Sequence, residues 1–332
     1  PNVHECAEQL LAITVQDQTT RKFKVFATRD YTPSRRDVEF IYCDDEKSLL
    51  RKFLSYWETE FPDVLTGWNV ELYDVPYICG RIERLFGDRE VKRMSPWGIV
   101  RQDEVEIKGR LNIRYDLLGI NVLDYMDLYK KFTYTNQESY RLDHIANVEL
   151  GKRKLDHSEY ENFKDFYTKD WQKFIDYNII DTELVLQLED KMKLIELAVA
   201  LAYDAKVNFK DVYYQVRMWD TLIYNFLTDK NIVVPPAKRQ EKDKKYAGAY
   251  VKQPIPGKYD WVVSFDLNSL YPHLIMQYNI SPETLCEERH PSATVARFLK
   301  QKEEIDPRFA TCANGAQYRK DVHGFLPEMM QK

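Results

Sequence analysis

The sequence predicts an α/β layer structure, and three stretches carry that prediction. Residues 10–61 read as strand, polar turn, strand and amphipathic helix, and residues 64–69 read as a buried strand running into a helix start. The apolar run at 120–127 reads as a further strand, with helical patterns after it. Strands that alternate with helices bury their apolar faces by layering one on the other.

Taken in order, Leu-Leu-Ala-Ile-Thr-Val at 10–15 and Lys-Phe-Lys-Val-Phe-Ala at 22–27 are strand-forming runs joined by a polar turn. Between Glu46 and Phe61, the residues Leu49, Leu50, Phe53, Leu54 and Trp57 recur at the spacing of one helical face. Val64-Leu65-Thr66-Gly67-Trp68-Asn69 is a buried strand ending in a polar loop, and Asp74 directly before Val75-Pro76-Tyr77-Ile78 marks a helix start. Residues 100–114 contain V-E-I-K-G-R-L-N-I, two alternating runs about Lys108-Gly109-Arg110, which predict a hairpin projecting from the body. After the strand at 120–127, helices are expected over 139–146 and 171–198, the second long and strongly periodic. Past Lys206 an aromatic-rich helix is expected over 212–227, and Pro235-Pro236 with the charged link behind it mark a domain boundary.

A chain of 332 residues, 44% hydrophobic and 30% charged, has room for two soluble domains. Its net charge of −5 excludes a positive coat over the whole surface, so any nucleic-acid contact must use a local basic groove. The most basic window is 238–258, where Lys238, Arg239, Lys242, Lys244, Lys245, Lys252 and Lys258 face only Glu241 and Asp243. On its own that window is equally a solvated link. Of the 23 tyrosines some are expected to stack on bases, while most pack. Five scattered cysteines, with no C-x-x-C pair and no histidine at ligand spacing, fit neither a zinc site nor a disulfide framework and point to a reducing compartment. No apolar run reaches spanning length and no charged leader precedes one, so a cytoplasmic protein without membrane contact is expected. A chain that opens on Pro1 and stops at Lys332 reads as a piece of something longer.

Three short motifs could carry chemistry. Asn69 and Asp74 stand in G-W-N-V-E-L-Y-D-V-P-Y, where Asp74 is a helix cap, a cation ligand, or both. Tyr177 and Asp181 stand in D-Y-N-I-I-D. Four apart on a helix they share a face, so phenol and carboxylate either converge on one water or cation or form a pair on a solvated surface. In S-F-D-L-N-S-L-Y-P, residues 264–272, the carboxylate of Asp266 follows the strand-like run Trp261-Val262-Val263. It either sits at a sheet edge within reach of a cation or substrate, or opens a turn.

Together and in this order, these motifs resemble those of the family B DNA polymerases. N-x-x-x-Y-D at 69–74, within G-W-N-V-E-L-Y-D, resembles the second exonuclease motif, Y-x-x-x-D at 177–181 the third, and S-F-D-L-N-S-L-Y-P the first palm motif. Tyr246-Ala247-Gly248-Ala249 looks like a variant of the linking Tyr-x-Gly-Gly motif. The stretches G-W-N-V-E, V-L-D-Y-M-D-L-Y-K-K-F and Y-N-I-I-D are similar to replicative polymerases of T-even-type bacteriophages. The resemblance covers essentially the whole chain.

It implies a ribonuclease H-like (DnaQ-like) exonuclease domain over 1–189, a helical connection over 190–236 toward a missing N-terminal domain, and the start of an α+β palm over 237–332. The implied reactions are template-directed DNA synthesis and 3′-to-5′ proofreading, each using paired Mg²⁺ ions held by carboxylates. Asp74 and Asp181 would hold metal in the exonuclease site, with Tyr177 orienting the attacking water. Asp266 would hold metal in the polymerase site, the backbone of Leu267, Asn268, Ser269 and Leu270 would lie along the triphosphate, and Tyr271 would exclude a ribose 2′-hydroxyl. Asn69, Tyr246, Gly248 and Lys252 would contact DNA, and the hairpin at 100–114 would help move the primer end between sites. Primer-template DNA and deoxynucleoside triphosphates are the implied partners, with a sliding clamp and other replisome proteins reached through missing parts, in the cytoplasm of a host cell.

The sequence also departs from that family pattern. The first exonuclease motif, an Asp-x-Glu on an opening strand, is not found, nor are the later palm motifs. His273 replaces the Ser usual after the palm Pro, and Ala249 replaces the second linker Gly. The fragment alone is therefore expected to be inactive. A non-catalytic DNA-binding front part of a split polymerase is the alternative, and a stand-alone exonuclease is a third reading that the palm motif opposes.

Overall fold

The computed structural model describes residues 2–107, 109–152, 159–160, 162–233, 251–300 and 306–331. The described residues divide into two compact units, one before residue 234 and one from residue 251.

In the first unit, β1 (Ala12–Gln16) pairs antiparallel with β2 (Phe23–Ala27), and β2 pairs parallel with β3 (Val38–Tyr42). The alternation of side chains along β2 buries both of its faces. Phe26 points into a core with Leu49, Leu50 and Phe53, while Phe23, Val25 and Ala27 point into another with Phe166, Phe174 and Ile175. Helix α1 (Glu46–Thr59) supplies the first layer; Asp45 caps it, accepting from the Ser48 N–H at 2.7 Å, and the apolar residues picked out by their spacing are all buried.

A buried ion pair ties the N-terminal segment to this layer. Arg81 donates through Nε to Glu46 at 2.7 Å and through Nη2 to the other carboxylate oxygen, while its Nη1 reaches the Cys6 carbonyl at 2.7 Å. Glu46 also accepts from the Leu10 N–H at 2.8 Å. Truncating either partner would leave a buried charge alone, at a cost of about 3–5 kcal/mol.

Strand β4 (Val64–Gly67) leads through a tight turn into α2 (Val75–Phe86), followed by the short α3 (Asp88–Val91). The hairpin forms as expected, with β5 (Val100–Ile107) antiparallel to β6 (Arg110–Leu117), and Gly109 turns it at φ 75°. Strand β7 (Asn121–Asp124) pairs parallel with β4.

Here the structure differs from the sequence reading. The strand expected to 127 ends at Asp124, because that carboxylate accepts the Met126 N–H at 3.0 Å and so caps α4 (Tyr125–Phe132). Helix α5 (Leu142–Leu150) lies later than the expected 139–146 and stops at Gly151, whose φ of 66° only glycine adopts easily. Helix α6 (Phe163–Lys169), only seven residues long, was not expected at all. The long helix expected over 171–198 is two helices, α7 (Trp171–Met192) and α8 (Leu194–Ala205), broken at Lys193 with φ 57°. Buried Glu189 fixes the break, accepting from the N–H groups of Ile195 at 3.0 Å and Glu196 at 3.3 Å. A 3₁₀ turn (Phe209–Tyr213) then precedes α9 (Gln215–Asp229). No helix among the described residues is long and apolar enough to cross a membrane.

The second unit contains α10 (Leu270–Gln277), α11 (Val295–Leu299), the antiparallel pair β8 (Phe309–Thr311) and β9 (Gln317–Arg319), and α12 (Phe325–Gln331). Asn279 staples it, donating to the Val322 carbonyl at 2.8 Å and accepting from the Gly324 N–H at 2.8 Å. The strand expected at 261–263, leading into Asp266, does not form among the described residues. Trp261, Val262, Val263 and Phe265 are exposed, and no described strand pairs with that run. A strand without a partner is not stable in water.

Candidate active site

Among the described residues, strands β1 and β4 each pair on one side only, and both line a groove of about 1950 Å³. Helix α7 runs along it. The groove gathers Asn69, Asp74, Tyr177 and Asp181, residues separated by more than a hundred positions in the chain. Thr14 and Gln16 of β1 and Asn178 of α7 also line it, and Thr14 Oγ1, Gln16 Oε1 and Asn178 Oδ1 are buried with no hydrogen-bond partner among the described residues. Orphaned polar atoms beside two unpaired strand edges make a surface prepared for a polar, strand-like occupant.

The main chain brings Asp74 to the groove by an unusual route. Gly67 ends β4 where an added Cβ would come within 3.0 Å of Val70. Asn69 then takes a left-handed conformation at φ 68°, and Val70–Asp74 form a single π-helical turn before α2. Such turns cluster at functional sites. Asp74 makes no capping hydrogen bond to α2, so the reading of this residue as a helix cap is not met. The residue is exposed where it lines the groove, while its carboxyl group is crowded by protein.

Crowding by protein pushes the Asp74 carboxyl up to about 6, and the charges of Asp124 and Asp181 add to the push. Asp124 is itself pushed up to about 6 by burial, although backbone N–H groups pull it down. Because the folded value for Asp74 lies above the ordinary carboxylate value of about 3.9, folding becomes less favourable as pH rises from about 4 to about 6 and stays so above. Asp74→Asn is therefore expected to raise the thermal midpoint by a few degrees near pH 8 and to leave it unchanged near pH 3.5, measured by calorimetry. An unchanged midpoint near pH 8 would contradict this electrostatic account.

In the second unit, Asp266, Leu267 and Asn268 are exposed in irregular chain, Ser269 turns at φ 53°, and Leu270 and exposed Tyr271 begin α10. The His273 ring approaches the Ser269 carbonyl at 2.9 Å, so it folds back on the turn before its own helix. Lys252 is exposed, while Tyr246 and Gly248 lie outside the described residues. No group of three or more His, Cys, Asp or Glu among the described residues could hold a metal ion.

The sequence reading missed Asp124. It is 1% exposed, and its carboxylate bonds the backbone of the turn that carries Asp74. A carboxylate between an apolar strand and a helical pattern was the signal that could have found it.

Residues 5–145 match the exonuclease domain of DNA polymerase family B, and residues 210–332 match DNA polymerase family B itself. The chain belongs to the family B DNA polymerases. A DNA-directed DNA polymerase of Escherichia phage RB69 is 40% identical over 307 residues, which cover 91% of this chain and 33% of that protein. The enzyme of the same name from Enterobacteria phage T4 is 34% identical, with 89% and 32% covered. A DNA polymerase of Paramecium bursaria Chlorella virus NY2A is 29% identical, with 78% and 30% covered. This family B chain thus spans about a third of the length of these relatives. The exonuclease match takes in Asn69, Asp74 and Asp124, and the polymerase match takes in Asp266 and Tyr271.

Proposed function

We propose that this chain is part of a replicative polymerase that extends a primer and removes mispaired 3′ nucleotides, with the groove of the first unit as the digesting site. The convergence of Asp74, Asp181 and Tyr177 on one groove carries this reading. A ribonuclease H-like sheet accounts for its shape. On that view the gap between β1 and β4 seats one more strand, bearing an Asp-x-Glu pair and supplied by a longer polypeptide. The two free edges and the orphaned atoms of Thr14, Gln16 and Asn178 support it.

The carboxylates present suit Mg²⁺, a hard ion commonly held by one or two carboxylates with water and phosphate completing the shell. Burial first, and then the charges of Asp124 and Asp181, raise the Asp74 carboxyl, and a bound cation would favour its charged form. When bound, paired ions stabilise the attacking and leaving oxygens of a phosphodiester. Asp74 and Asp181 would hold them, Tyr177 would orient the water, and Asn69 would hold the terminal nucleotide at the mouth of the turn.

In the second unit, Asp266 serves the same purpose for nucleotide addition. The main chain from Leu267 to Leu270 lies along the triphosphate, and the ring of Tyr271 rejects a ribose. Lys252 with Tyr246 and Gly248 hold duplex phosphates, contacts that give affinity without sequence preference. Clamp and replisome contacts fall to other parts of the polypeptide, which works in the cytoplasm of the infected cell.

Without the additional strand the digesting site holds half its carboxylates. The isolated chain is expected to show no Mg²⁺-dependent digestion of single-stranded DNA, whereas a full-length polymerase containing it releases a mispaired 3′ nucleotide. Digestion by the isolated chain that disappears in Asp181→Ala would overturn the proposed strand requirement.

A further inference from the structure

Asp74 makes no side-chain capping hydrogen bond to α2, so the path of the main chain governs where its carboxylate stands. That main chain leaves β4 through a left-handed residue and a π-helical turn, closed by the Val75 N–H on the Val70 carbonyl and the Tyr73 N–H on the Asn69 carbonyl. Asn69 tolerates left-handed φ better than most residues, but i→i+5 bonding is rare and nothing local in Val70–Asp74 selects it. Something outside the turn must hold it.

Asp124 is the group that does so. Its Oδ1 accepts the N–H of Asn69 at 3.2 Å, and its Oδ2 accepts the N–H of Glu71 at 3.1 Å, so both oxygens grip the start of the turn. The same Oδ1 accepts the Met126 N–H at 3.0 Å, anchoring the carboxylate to the first turn of α4. Its own carbonyl accepts the Tyr213 hydroxyl at 3.1 Å, which fixes the end of β7 from the other side. One buried side chain thus locks the C-terminal ends of two parallel strands, β4 and β7, to each other. Capping α4 would need only one of these three bonds. The other two are spent on the turn.

We propose that Asp124 is a positioning residue for Asp74, acting through the backbone of the π-helical turn to set where the Asp74 carboxylate stands in the groove. This rests on the digesting role proposed for that groove. Losing the two bonds would let the turn relax toward ordinary helix, moving Asp74 while leaving the rest of the sheet paired.

The test uses a full-length polymerase containing this chain, with Asp124→Ala, Asp124→Asn and Asp74→Ala variants. Digestion of single-stranded DNA is measured against Mn²⁺ concentration, and primer extension is measured on the same preparations. Asp124→Ala is expected to lower digestion at limiting Mn²⁺ by about ten- to a hundredfold, the usual effect of losing a group that orients a metal ligand, and to raise half-saturating Mn²⁺ correspondingly. Primer extension should stay within about twofold of wild type, within the experiment's scatter. Asp124→Asn keeps an acceptor for Asn69 and Met126 but turns an amide toward Glu71, so it should fall between wild type and Asp124→Ala. Asp74→Ala should lose digestion at every Mn²⁺ concentration. Wild-type Mn²⁺ dependence in Asp124→Ala, or loss of extension in step with digestion, would overturn the positioning role. If Asp74→Ala still digests, the digesting role of the groove itself fails, and the inference falls with it.

Discussion

Asp266→Ala, in a full-length polymerase containing this chain, is expected to cut nucleotide addition by about a thousandfold or more while sparing digestion of single-stranded DNA. A metal-held carboxylate contributes several kcal/mol to the transition state of nucleotide transfer, and each 1.36 kcal/mol is a factor of ten. Asp266 is exposed in the second unit, in irregular chain just before the turn at Ser269. Its loss has no route to the first unit's fold, because it contributes to no described core. Retained synthesis would contradict its assignment as a metal ligand.

Asp181→Ala is expected to have the converse effect, with digestion down by a comparable factor and addition preserved. Asp181 stands on α7, a helix held in place by Phe174, Ile175, Ile179 and Leu188, all buried. Removing one carboxylate from the groove side leaves that packing intact, so the fold should survive and the chemistry should not. Undiminished digestion would remove the groove from the mechanism.

Much of this was legible in the sequence, and the remainder was hidden for physical reasons. The amphipathic spacing of Leu49, Leu50, Phe53, Leu54 and Trp57 announced α1, and Gly109 announced the hairpin turn, because periodicity and turn chemistry are local signals. The break at Lys193 was not visible, since no Gly or Pro marks it; it depends on Glu189 reaching the N–H groups of the next helix. The grip of Asp124 on the turn was hidden for the same reason, because its bonds to Asn69 and Glu71 cross more than fifty positions of chain. The motifs at 69–74 and 177–181 could be read as a pair only through resemblance. Their meeting in one groove is a tertiary fact. The strand expected at 261–263 failed because strand propensity describes a half-buried surface, and the described residues offer that run no neighbour.

The most direct test of the two proposed reaction sites is to measure both activities on the same full-length preparations of wild type, Asp266→Ala and Asp181→Ala. Each variant should lose one activity and keep the other, in opposite senses. Joint loss of both activities in either variant, or loss of neither, would contradict the assignment of digestion to the first unit and addition to the second.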